Sequence, residues 1–195
     1  MPIIDKQIKF SFLREYHLIL QDFDKILGFV DPSDENEIVF SHRIFELLLR
    51  TCTALETVFK RVLKDQNYKI NKSRLDIKDY FTVNSQYKLS EYEVMFDSWR
   101  SGTKIIKPFE AWNTGSYARL VWYQAYNDSK HDRDQNFKDA NLKNLTSAIA
   151  GLTVLLHSQY KHDVFGKYQE TMMTHSNDQG FKYSNDSIFS IKIPQ

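Results

Sequence analysis

A mostly α-helical, antiparallel bundle with an inserted β-hairpin and a short extended C-terminal tail is the fold class this sequence predicts. Three observations carry that expectation. Apolar residues recur at intervals of three and four over long stretches, the spacing that lines one helix face. One short stretch, in which Tyr92, Val94 and Phe96 alternate with Glu91, Glu93 and Asp97, has the period of two that belongs to a strand. Only 6 glycines and 4 prolines punctuate 195 residues, of which 42% are hydrophobic, so the chain has material for a packed core and is neither disordered nor collagen-like.

In chain order, Ile8, Phe12, Tyr16, Ile19, Phe23, Ile26 and Leu27 form the stripe of a first long helix over Lys6 to Phe29. Asp31-Pro32-Ser33-Asp34-Glu35-Asn36 combines turn formers with capping residue types, closing that helix and opening the next. The second helix is expected from about Ile38 to Leu63, with Phe40, Ile44, Leu47, Leu48, Leu55, Phe59 and Val62 on its buried face. A connection this short makes the two helices antiparallel. Ser73 to Phe81 reads as a short capped helix. Glu91 to Lys107 reads as a hairpin turning at Ser101-Gly102, standing outside the helical core because its alternation conflicts with helix packing. Helix resumes near Ser116 and continues to about His131, and a last long helix spans about Lys138 to Tyr160, its uncharged run from Asn144 marking it as buried. These elements make one domain over residues 1–173, interrupted by the hairpin at 91–107. In the tail, 174–195, the apolar residues Phe181, Tyr183, Ile188, Phe189, Ile191 and Ile193 either extend the hairpin sheet or are loosely held.

Composition excludes several classes of function. Lys plus Arg (26) against Asp plus Glu (25) leaves a net charge of +1, so no bulk field draws the chain to nucleic acid or a membrane surface, and any such partner must be met locally. The strongly apolar run Ala148 to Leu156 is too short to cross a bilayer of about 30 Å, and no membrane partner is expected. Cys52 is the only cysteine, which rules out an intrachain disulfide and leaves a cysteine zinc cluster in need of other chains; its spacing from Leu48 and Leu55 reads as a small buried hydrophobe. Charged residues among the first thirty positions leave no apolar signal core, so a cytoplasmic setting is expected. The histidines have no zinc-site spacing and the acidic pairs lie in no Gly-rich calcium loop; neither a metal nor another cofactor is expected. A phosphate-binding loop, a G-x-S-x-G elbow and the kinase motifs are all missing from the sequence, which removes nucleotide hydrolysis. Trp99, Trp112 and Trp122 are read as core rather than as base-stacking platforms.

The densest polar segment is Tyr126-Asn127-Asp128-Ser129-Lys130-His131-Asp132-Arg133-Asp134. In a helix Arg119, Tyr123, Asn127 and His131 stand four apart on one ridge. An imidazole, an amide and the cations Lys130 and Arg133 form a set suited to a phosphodiester, while Asp128, Asp132 and Asp134 keep the segment from being a basic patch.

Tyr126-Asn127-x3-His131 is similar to the motif of the HEPN superfamily, helical prokaryotic and eukaryotic domains in which an Arg, usually followed by Asn, Asp or His, precedes a His with four to six residues between them, four here. Asn127-x-x-Lys130-His131-x-Arg133 particularly resembles the corresponding stretch of abortive-infection HEPN proteins, with Tyr126 standing where the family has Arg. A long helix carrying Glu46, Arg50 and Glu56, then the motif at a helix end, then a closing apolar helix, is also similar to the family's order over roughly residues 6–160. The resemblance implies metal-independent RNA cleavage in stress or phage defence, at the interface of a homodimer where two motif copies face each other. His131 would serve as acid or base, Asn127 as an orienting group, and Arg133 or Lys130 as the cation on the phosphate in place of the missing Arg. Tyr123 and Tyr126 join the binding surface; Glu46 and Arg50 either form a second wall of the cleft or make an ordinary surface ion pair. Two alternatives stand beside this. Asn127 and His131 also fit a helix end at which they satisfy each other, and Tyr126 favours a catalytically silent helical module that binds RNA or a partner protein.

Overall fold

A computed structural model describes residues 6–69, 74–165 and 188–194, and the chain is mostly helical with one small antiparallel sheet. Residues 174–187 of the predicted tail, and Ser73 at the start of the predicted short helix, lie outside the described residues.

The first helix, α1 (Lys6–Leu27), buries Tyr16, Ile19 and Phe23 from its predicted stripe. The connection that follows forms a 3-10 turn over Glu35–Ile38, pinned to the body by Glu37, whose carboxylate meets Lys104 at 2.5 Å and Lys143 at 3.1 Å. Helix α2 (His42–Asp65) begins four residues later than the periodicity predicts. The reason is local. Ser41 is extended and its Oγ accepts from the amide of Ile44, while Val39 and Phe40 are drawn into extended pairing with the segment before the last helix, Leu142 N donating to Val39 O at 2.8 Å. The α1 and α2 axes are antiparallel, Asp22 meeting Arg50 while the chain turns back between Val30 and Ser41.

Short helices α3 (Ile77–Phe81) and α4 (Asn84–Tyr87) follow, α3 held by a capping box in which Asp76 and Asp79 exchange hydrogen bonds with each other's backbone. Tyr80 of α3 stacks on Phe59 of α2 at 4.9 Å, with the rings 4° from parallel. Next come β1 (Glu93–Phe96) and β2 (Lys104–Ile106), antiparallel as expected, and a third strand, β3 (Phe189–Lys192), adds to the free side of β1 in the order β2-β1-β3. The tail stretch 189–192 therefore extends the hairpin sheet.

Contrary to expectation, the hairpin does not stand outside the core. Alternation in a strand buries one face, and here Val94 and Phe96 are fully buried against the helices while Glu93 on the other side pairs with Lys107 and Lys192. Phe96 packs against Phe23 of α1, Trp99 and Phe189, with ring centroids 6.1, 5.5 and 5.1 Å away.

Helix α5 (Val121–His131) starts five residues after the predicted Ser116. The backbone oxygen of Ala118 accepts from the Trp112 indole at 3.0 Å and Leu120 is extended, so Arg119 precedes the helix and shares no ridge with Tyr123. After Asp132, whose carboxylate caps the single turn α6 (Arg133–Asn136), Asn141 caps the final helix α7 (Leu142–Tyr160), shifting its start from the predicted Lys138. Helix α7 is central: sixteen of its nineteen residues are buried, with α1, α2 and α5 packed around it. Gly151 permits a close approach of α5, since a Cβ there would sit 3.2 Å from the Trp122 ring. All three tryptophans are core residues, Trp122 also donating to the backbone of Pro108 at 2.8 Å. Among the described residues no helix is long and apolar enough to cross a membrane.

Because Phe96 joins sheet to helices, Phe96→Ala is expected to destabilise the whole fold by about 3–5 kcal/mol in urea denaturation. Replacing residues 91–107 with a short Gly-Ser linker should abolish the cooperative transition seen by circular dichroism at 222 nm, and a retained transition would place the hairpin outside the core after all.

Candidate functional site

Helices α2 and α5 run antiparallel, and their seam carries the polar groups that the sequence scatters over ninety residues. At its inner end Glu56, only 9% exposed, takes the Tyr123 hydroxyl at 2.9 Å and the Tyr126 hydroxyl at 3.2 Å on one carboxylate oxygen, with Lys60 3.4 Å from the other. Two tyrosines three apart on α5 share a face and so reach the same acceptor. Burial, and then the charge of Glu56, push the Tyr123 hydroxyl far above the ordinary phenol range. The Tyr126 hydroxyl is also raised, burial outweighing the opposing pull of Lys130. Both phenols therefore remain protonated donors at neutral pH. Tyr126 Oη in turn accepts from Lys130 Nζ at 3.0 Å, so the chain Glu56, Tyr126, Lys130 leads from the interior to the surface. Tyr80, 1% exposed, has a hydroxyl with no hydrogen bond among the described residues, and burial raises it too. Cys52 lies fully buried, and burial reinforced by the charge of Glu56 pushes its thiol well up, leaving it protonated and inert.

At the outer end of the seam, His131 is the last residue of α5 and is exposed, with no hydrogen bond or ion pair among the described residues. Asn127, one turn earlier and half-buried, likewise has no side-chain hydrogen bond, so the two do not satisfy each other. Arg133, just beyond the bend at Asp132, is held by a partner that sequence reasoning missed: its Nη2 lies 3.3 Å from His42 Nδ1 at the start of α2. The guanidinium also sits over the Phe45 and Phe137 rings, 5.3 and 5.4 Å from their centroids. The His42 ring is 4.9 Å from that of Phe137. Arginine can only donate, so in this contact the guanidinium is the donor and His42 Nδ1 the acceptor.

The sequence-derived candidates thus divide. Tyr123, Tyr126, Asn127, Lys130, His131 and Arg133 share the α5–α6 edge of the seam, which α2 meets through Glu56, His42 and Phe45 rather than through Glu46 or Arg50. Glu46 and Arg50 line a different feature, a groove of about 610 Å³ between α1 and α2 to which α5 contributes no residue. There Arg50 meets Asp22 at 2.6 Å and Glu46 meets Arg43 at 3.2 Å. Hydrogen bonds from Lys25 and Arg50 hold the Asp22 carboxyl below the usual range. His42 carries no local signal in the sequence, since the contact that distinguishes it is with a residue 91 positions away. Among the described residues no group of three or more His, Cys, Asp or Glu side chains converges as a metal site would require.

If Glu56 organises the seam, Glu56→Ala, which strands two buried phenols, is expected to lower stability by roughly 3 kcal/mol, whereas Glu56→Gln, which keeps an acceptor oxygen, should lower it by less than half as much. Equal losses in urea titrations would show that the hydrogen bonds contribute little.

Comparison with known proteins returned no match to a family model, to a curated protein or to a solved structure.

Proposed function

We propose that the protein is an RNA-directed module of the HEPN type, a metal-independent endoribonuclease acting in the cytoplasm in stress or phage defence. The observation that carries the reading is the exposed, unbonded imidazole of His131, flanked in sequence by two cations each held by a specific contact, Lys130 on Tyr126 and Arg133 on His42. An imidazole whose ordinary pKa is about 6.5 accepts or supplies a proton at neutral pH, and cations beside it stabilise charge building on a phosphate. Asn127, one turn before His131, orients the bound backbone. The packing of a glutamate-bearing long helix on the motif helix, with an apolar helix closing behind both, also supports the resemblance.

A second reading has its own observation. Tyr126, at the family's Arg position, is buried on Glu56 and puts no cation in the site, which favours a catalytically silent module that binds RNA or a partner protein.

Incubation with mixed RNA in EDTA separates the two. The ribonuclease reading expects products ending in cyclic phosphate, and a loss of about 10²–10⁴-fold in His131→Ala with its circular dichroism unchanged. Equal cleavage by wild type and His131→Ala would end the assignment of His131; binding of RNA without cleavage selects the silent module. The reading further takes the active form to be a homodimer with the two α5 ends facing a shared cleft, since an isologous contact sets each patch against its own copy. Light scattering at micromolar concentration should then give twice the monomer mass, and a strictly monomeric protein would remove the shared cleft.

A further inference from the structure

Cleaving RNA through its own 2′-hydroxyl requires two proton transfers at opposite sides of one phosphorus. A base takes the proton from the 2′-oxygen as that oxygen bonds to phosphorus, and an acid gives a proton to the 5′-oxygen as the phosphorus–oxygen bond to it breaks. The products are a 2′,3′-cyclic phosphate and a free 5′-hydroxyl, and neither an oxidant nor a co-substrate is consumed. The motif segment supplies one imidazole, His131. The fold brings a second, His42 at the start of α2, to Arg133, two residues beyond His131.

Arg133 links them. It lies two residues beyond His131, so their Cα atoms are within about 7.6 Å of each other, and its Nη2 reaches to 3.3 Å from His42 Nδ1. Both imidazoles are exposed, and the guanidinium uses one contact of its five N–H groups on His42; the others make no hydrogen bond among the described residues. The Phe45 and Phe137 rings hold its plane. A phosphate received by the free edge of that fork would lie beside the His42 imidazole of α2 and within two residues of His131 at the end of α5.

Resting on the ribonuclease reading above, we infer that His42 and His131 form an acid–base pair around Arg133, with RNA carrying a 2′-hydroxyl as substrate, His42 as base and His131 as acid. The division follows from the contact: His42 Nδ1 faces a group that only donates and therefore holds a lone pair, the property a base needs.

The test uses the full-length chain and two matched oligonucleotides, one of ordinary RNA and one whose scissile 5′-oxygen is replaced by a bridging sulfur, a leaving group that departs without protonation. On ordinary RNA, His42→Ala and His131→Ala should each lose at least 10²-fold. On the sulfur substrate the His131→Ala defect should shrink to less than about tenfold, while the His42→Ala defect should persist, because the 2′-hydroxyl still needs a base. His42→Asn keeps an acceptor for Arg133 but cannot take a proton, and should be as impaired as His42→Ala, with circular dichroism matching the wild type in all variants. Cleavage of ordinary RNA by His42→Ala within threefold of wild type would overturn the inference. Recovery in His42→Asn would do the same by reducing His42 to a positioning residue for Arg133, as would sulfur rescue of His42→Ala equal to that of His131→Ala. A wild-type chain that cleaves neither substrate would instead sink the ribonuclease reading, and the inference with it.

Discussion

A carboxylate taken out of water must be given donors, and the position of α5 follows from how Glu56 meets that requirement. With the side chain mostly buried in the α2–α5 seam, the hydroxyls of Tyr123 and Tyr126 supply what solvent cannot. Because those two tyrosines occupy one face of α5, satisfying Glu56 fixes both the rotation of α5 about its axis and its register along α2. Everything beyond Tyr126 is then placed by helix geometry: Lys130 one turn on, His131 at the helix end, and Arg133 past the bend, alongside the first turn of α2. The surface chemistry is thus set from inside, by a carboxylate that holds the tyrosines of α5 but does not contact His131 or Arg133.

The second organising element is α7, which is apolar around its circumference and must therefore be enclosed. Helices α1, α2 and α5 do most of this, and the sheet packs its inner face against the same core through Phe96 and Phe189. Gly151 is the point at which enclosure and site meet, because Trp122, the neighbour of Tyr123, packs so close to α7 there that a Cβ would be tightly crowded.

How much of this was legible in the sequence depends on the range of the interaction responsible. Elements defined by their own periodicity, such as α1, α2, α7 and the β1–β2 pairing, could be read from Tyr16, Ile19 and Phe23 or from the alternation around Val94. Boundaries were displaced wherever a contact from elsewhere intervened. Phe40 fits the apolar stripe of α2 but pairs in extended form with Asn141, and the residues near Arg119 continue the period of α5 but are held out of the helix by the Trp112 indole. The hairpin was identified but misplaced, since alternation says that one face is buried without saying against what. In the site, local spacing put Asn127, Lys130, His131 and Arg133 together. It could not separate Glu46 and Arg50, which face α1, from Glu56, which faces α5, because all three share α2 and only the partner helices distinguish them. His42 was invisible for the same reason.

The strand at 189–192 has a consequence for how the protein is made. Domains tend to fold as their segments emerge during synthesis, yet here the middle strand of the sheet waits for a partner encoded almost a hundred residues later. Until Phe189 arrives, Phe23 and Phe96 lack the ring that packs against both, and β1 presents an unpaired edge beside exposed aromatic surface. Until that last strand is made, the sheet keeps the kind of open edge and apolar surface through which incomplete chains associate with one another.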